Sequence, residues 1–131
     1  MDTTEKTTLQ TAWLKSAQED LDTAQDLFSL KRYHYALFFC QLALEKVLKA
    51  LVVKKNNTHP LPIHKLAKLA KDASLDLTQE QIDSLNEITT FNIEARYDIL
   101  KEQLHKKATQ EFTEKYLKIT ADLFTFFKSQ V

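Results

Sequence analysis

The segment Tyr33–Leu51, YHYALFFCQLALEKVLKAL, decides the fold. It is apolar on almost every side, and a helix of that kind belongs in the middle of a protein. Yet it carries Gln41, Glu45, Lys46 and Lys49. Charged groups in such a helix are costly unless they are paired or reach water. Gln41, Glu45 and Lys49 follow one another at four-residue intervals, so they make one polar stripe on one face. A polar stripe on a central helix is either a satisfied internal network or the wall of a site. Its position among Ala43, Leu44, Val47 and Leu48 predicts that Glu45 is paired with a base, either Lys49 or Arg96.

Around this segment the chain contains no glycine, and proline only at Pro60 and Pro62. Hairpin turns and tight phosphate-binding loops depend on glycine, so an all-β fold, a dinucleotide fingerprint and a P-loop are excluded. The expected class is all-α: an up-down bundle of four to five helices forming one domain over residues 1–131. Leu9, Trp13, Ala17, Leu21, Ala24 and Phe28 recur at helical spacing and predict a first helix over 8–30. The central helix follows over 33–54, and the short connection predicts an antiparallel hairpin. KNNTHPLP is a loop. His64, Leu66, Ala67 and Leu69 suggest a short helix after Pro62. Thr78 with Gln81 forms a capping box that opens another helix toward Phe91. Phe112, Tyr116, Ile119, Leu123 and Phe126 predict a last helix over 109–129. The segment 92–107 has helical propensity but weak apolar periodicity.

Formal net charge is zero, so global charge carries no argument for nucleic acid or membrane. Its distribution is uneven: seven lysines and no acid between Lys46 and Lys71, and six acids against Arg96 alone between Asp76 and Asp98. Solvated faces that pair with one another are the simpler reading, a basic patch the sharper one. Cys40 is the only cysteine and reads as a buried apolar residue, consistent with a reducing, cytoplasmic location. The polar, acidic N-terminal residues do not resemble a signal peptide. The glutamate and two lysines within 36–53 argue against a membrane span, since each mid-bilayer charge costs about 2.5–3.5 kcal/mol on insertion scales.

His34, His59, His64 and His105 show no metal-ligand spacing, and no nucleophile elbow is present. No metal or cofactor is therefore expected. The second cluster is NIEARYD, residues 92–98. Asn92 and Arg96 share a helix face, and Tyr97 adjoins them. Arginine suits bidentate contact with phosphate, and tyrosine can stack on a base. The alternative is a salt bridge between Arg96 and Glu45 or another core acid.

The ordered set resembles a HEPN domain. It comprises Trp13, Ala17, Asp20-Leu21 and Ala24, then Tyr33, Ala36 and the run Gln41–Leu51. His64 with Leu66 and Leu69 follows, and Ala95-Arg96-Tyr97 closes it. The resemblance covers about two thirds of the chain. It implies a helical bundle that commonly forms a homodimer. Many relatives pair with a minimal nucleotidyltransferase, often as toxin and antitoxin; others bind nucleotides or are metal-independent ribonucleases. The ribonucleases carry a histidine separated from the arginine by four to six intervening residues. Here those positions hold Lys101, Glu102 and Gln103, and the nearest histidine is His105. On a continuous helix nine steps turn a side chain by about 180° and carry it roughly 13 Å along the axis, so His105 would point away from Arg96. Many relatives have proline after the Arg-Tyr pair; Asp98 here leaves the helix free to continue.

The resulting expectation is a binding module for a nucleotide or RNA phosphate, or a dock for a nucleotidyltransferase. Lys46, Lys49, His64, Asn92, Arg96 and Tyr97 are its candidate binding residues, and Gln41 and Glu45 form a structural stripe. The competing reading is a ribonuclease using Arg96 and His105. A third is a dimer that only mediates protein contacts. Self-association is expected through aromatics among Phe38, Phe39, Phe124, Phe126 and Phe127.

Overall fold

The computed structural model describes residues 1–131 and contains six α-helices and no strand. They are α1 (Thr3–Ser29), α2 (Tyr33–Asn56), α3 (Leu66–Asp72), α4 (Gln79–Arg96), α5 (Asp98–Lys107) and α6 (Gln110–Gln130). α2 is the central helix and packs against all five others. Leu37, Ala43, Leu44, Val47 and Leu48 are wholly buried on it, which accounts for its lack of a polar side. α1 presents Ala17, Leu21 and Ala24 to the core and forms the expected hairpin with α2. No helix is long and apolar enough to cross a membrane.

Local signals fix most boundaries. Asp2 caps α1 by accepting from the Glu5 amide at 2.8 Å, and Thr109 caps α6 through the Phe112 amide at 3.2 Å. Thr78 and Gln81 close the capping box at α4 from both sides. α3 starts two residues later than His64, which lies in the preceding loop. Without glycine, Lys31, Asn57 and Ser74 take up the left-handed conformation, with φ of 61°, 52° and 56°. Lys31 and Ser74 sit just past α1 and α3. There, paired bonds from Arg32 to Leu27 and Leu75 to Ala70 complete Schellman motifs.

The aromatic residues divide differently from the expectation for self-association. Phe124 and Phe127 are 3% and 0% exposed within the chain itself, so neither is free to form an interface. α6 turns them inward against α2, and only Phe126 of that group lies at the surface, 36% exposed. Cys40 is fully buried, and burial pushes its thiol up to about 12.

Candidate functional site

The polar stripe of α2 is a closed network. The Glu45 carboxylate accepts from Gln41 Nε2 at 3.0 Å and from Lys49 Nζ at 2.9 Å, and meets His64 Nδ1 at 2.8 Å. Lys49 also lies over the Trp13 ring, 5.3 Å from its centroid. Gln41 Nε2 makes a second bond to the His64 carbonyl at 3.1 Å. Its Oε1 accepts from Asn92 Nδ2 at 2.9 Å, and Asn92 Oδ1 accepts from Arg96 Nε at 2.7 Å. Burial pushes the Glu45 carboxyl up, but bonds from Gln41, Lys49 and His64 outweigh it and hold the group below the ordinary carboxylate range. Glu45 is thus paired with Lys49 and His64. Arg96 makes no salt bridge to it or to any other acid.

This network takes Lys49 and Asn92 out of reach of any ligand. Lys49 is 6% exposed and bound to Glu45. Lys46 lies one helical step away, on the α1 face, bound to Asp20 at 2.6 Å and Ser16 at 2.7 Å. Asn92 is 2% exposed and serves as a support for Arg96. His64 stands at the far end of the network from Arg96. Lys68 pairs with Asp72, and Lys54 bonds the Gln130 carbonyl. Much of the lysine-rich run is therefore tethered, as the simpler reading of the charge pattern has it.

Arg96 lines the molecule's main groove, a space of about 620 Å³ between the start of α2 and α5. His34, Tyr35, Phe38 and Phe39 form the α2 wall; Asp98, Lys101, Glu102 and His105 form the α5 wall. Tyr97 is 61% exposed beside the groove and does not line it. The expected helical phase of His105 does not hold. Tyr97 has extended backbone, φ −113° and ψ 127°, so α4 ends at Arg96 and a new helix begins at Asp98. The cause is tertiary. Leu104 is buried to 1% exposure. Lys107 reaches back to Glu87 at 2.8 Å and Glu94 at 3.3 Å. On a straight helix Glu87 and Lys107 would stand about 30 Å apart. The bend turns α5 back, and His105 faces the same groove as Arg96.

His34 was not among the residues singled out from sequence. Its Nδ1 lies 3.5 Å from Nδ1 of His105, and the rings are edge to face at 5.0 Å between centroids. Two protonated nitrogens cannot share that contact, so one imidazole must present a lone pair. Burial first, then the charges of His105 and Arg32, lower the pKa of His34. The groove thus holds a guanidinium without a carboxylate partner, two contacting imidazoles and three aromatic rings. Such a set can bind an anion with an attached planar group.

Six helices packed around α2 define the molecule as a small all-α bundle domain. The chain belongs to the HEPN domain family, whose sequence model matches residues 10–130. Two solved structures share the fold. TT1696 from Thermus thermophilus is 21% identical, with a TM-score of 0.79 over 93% of this chain and 98% of that one. ST0689, described as an archaeal HEPN homologue, is 17% identical, with a TM-score of 0.73 over 92% of this chain and 96% of that one. No curated protein matches the chain.

Proposed function

We propose that the protein binds a phosphate-bearing ligand, a nucleotide or a short stretch of RNA, in the groove between α2 and α5. The observation that carries this reading is Arg96: its Nε is held by Asn92 while its charge is matched by no carboxylate. Tyr35, Phe38 and Phe39 supply apolar and stacking surface opposite. Lys101 adds positive charge, although Asp98 lies 3.4 Å from it. The test is a titration of labelled single-stranded RNA and of a labelled nucleotide at low salt. Binding by the wild type that falls with added salt supports the reading. Absence of binding to either probe defeats it and leaves a protein-contact role.

One observation favours a second reading, metal-independent RNA cleavage. The bend at Tyr97 brings His105 into the groove with Arg96, and His34 touches His105. An imidazole lone pair beside a guanidinium is a proton acceptor beside an oxyanion stabiliser. Cleavage in the presence of a chelator, lost in His105→Ala, would make this the primary function. Homodimer formation and docking of a minimal nucleotidyltransferase are further proposals. Ile93, Tyr97 and Ile99 are 44%, 61% and 83% exposed near the α4–α5 junction. Sedimentation at micromolar concentration tests the dimer.

A further inference from the structure

We infer that Gln41, from inside the core, positions Arg96 by dictating which face Asn92 turns toward it, and holds the guanidinium with a neutral group. This rests on the reading of Arg96 as the anion contact. The hydrogen-bond chain has a group that can only donate at one end and a group that can only accept at the other. A guanidinium has no acceptor, and an ionised carboxylate has no donor. The two amides between Arg96 and Glu45 must therefore point the same way. Gln41 Nε2 is claimed by two acceptors, Glu45 Oε1 at 3.0 Å and the His64 carbonyl at 3.1 Å. Its Oε1 is left for Asn92 Nδ2 at 2.9 Å, and Asn92 Oδ1 is left for Arg96 Nε at 2.7 Å. If Asn92 alone were reversed, donor would face donor at Arg96. Gln41 and Asn92 are 0% and 2% exposed, so water cannot relieve such a mismatch.

The chemical type of the last member also matters. A carboxylate in place of Asn92 would hold Nε at least as firmly but would neutralise the guanidinium. The carboxylate in this chain, Glu45, stands two amides back and is committed to Lys49 and His64. The relay passes orientation to Arg96 and leaves its charge for an anion.

The sequence contains two arginines, Arg32 and Arg96, so an ¹⁵N–¹H spectrum holds two Nε–Hε signals. Arg32 is exposed at the start of α2 and serves as the internal reference. In the wild type the Arg96 Hε should exchange with water at least about tenfold more slowly than that of Arg32, and one Hδ2 of Asn92 should be protected too. Equal Arg rates or a freely exchanging Asn92 amide would overturn the inference, and this comparison needs no variant. In Gln41→Met, which leaves the groove lining intact, the Arg96 rate should rise toward that of Arg32. Adding Asn92→Asp should slow it again, because a carboxylate accepts from either face. Unchanged Arg96 protection in folded Gln41→Met would also overturn the inference. With inorganic phosphate as the probe, Gln41→Met should bind several-fold more weakly, and the double variant should stay weak despite its restored protection. Wild-type binding strength in the double variant would refute the neutral hold. If the exchange pattern is as expected but the wild type binds no phosphate, the anion reading fails and the positioning of Arg96 stands.

Discussion

The core network around Glu45 and the groove around Arg96 use the same residue types and treat them in opposite ways. In the core, each charged group meets a partner: Glu45 has Lys49 and His64, and Lys49 also has the Trp13 ring. In the groove, Arg96 has one neutral acceptor, and two imidazoles face each other. The two regions are one continuous hydrogen-bonded chain, closed at one end and open at the other. Polarity inside a helical bundle is therefore not by itself a sign of a site. The sign is a charge that the fold orients without neutralising.

Glu45→Ala attacks the closed end and should have the largest effect. It leaves Lys49 buried without its counter-ion, and breaking a buried pair costs on the order of 3–5 kcal/mol. Urea unfolding checks this; a loss below about 1 kcal/mol would put Glu45 in the same class as a surface acid. The pH dependence has a defined sign. The folded-state pKa of Glu45 lies below the ordinary value. Its stabilisation is present above the unfolded pKa and is lost as pH falls through the folded one. That acid-side loss should shrink in the variant.

Arg96→Ala attacks the open end. It should cost clearly less stability than Glu45→Ala, about 1–3 kcal/mol at most for the donor lost to Asn92, but weaken RNA binding by about tenfold or more, as loss of a charge-assisted contact does. The slope of log K against log salt should also become shallower by about one phosphate contact. A large loss of stability with intact binding would reverse the distinction between the two ends.

Lys107→Ala tests whether α5 depends on its anchor. Lys107 binds Glu87 and Glu94 and lies 5.5 Å from the Phe91 ring centroid. Hydrogen exchange in residues 98–107 should quicken while α2 is unaffected, because local openings are separable from global ones. Equal quickening in both would show that the groove wall and the core open together.

A smaller effect is expected from pH at the groove. Burial, His105 and Arg32 hold the His34 pKa below its ordinary value. The unfolded chain therefore takes up this proton at higher pH than the folded one, and stability falls as pH drops through and below about 6.5, the ordinary histidine value. A bound anion favours the protonated ring, so binding should tighten over the same interval by a few-fold. A His34→Gln variant should flatten that dependence in anisotropy titrations.

Most of the bundle was legible because it rests on local chemistry. The all-round apolar character of α2, the Thr78–Gln81 box and the stripe of α6 each act within a few turns. The internal stripe was legible for the same reason, since Gln41, Glu45 and Lys49 must share a face. The bend at Tyr97 was not, because no proline or glycine marks it. Two weaker signals stood there: Asp98 in a first turn, and His105, Lys106 and Lys107 in a last turn before the Thr109 cap. That arrangement complements a separate helix dipole. The meeting of His34 with His105 spans 71 residues, and no local pattern encodes it. Lys46 binds Asp20 on the α1 face because one step along a helix is about 100° of turn, which separates it from the stripe that Glu45 and Lys49 share.

Cys40 gives this architecture an internal clock. It is the sole thiol, it is wholly enclosed in α2, and its pKa of about 12 keeps it uncharged. A thiol-directed reagent can modify it only in molecules whose central helix has come away from its neighbours, since the thiolate is the reactive form. Labelling under native conditions therefore counts those rare excursions one at a time. Where reclosure outpaces the reagent, the rate gives the free energy of opening; where it does not, the rate is that of opening itself.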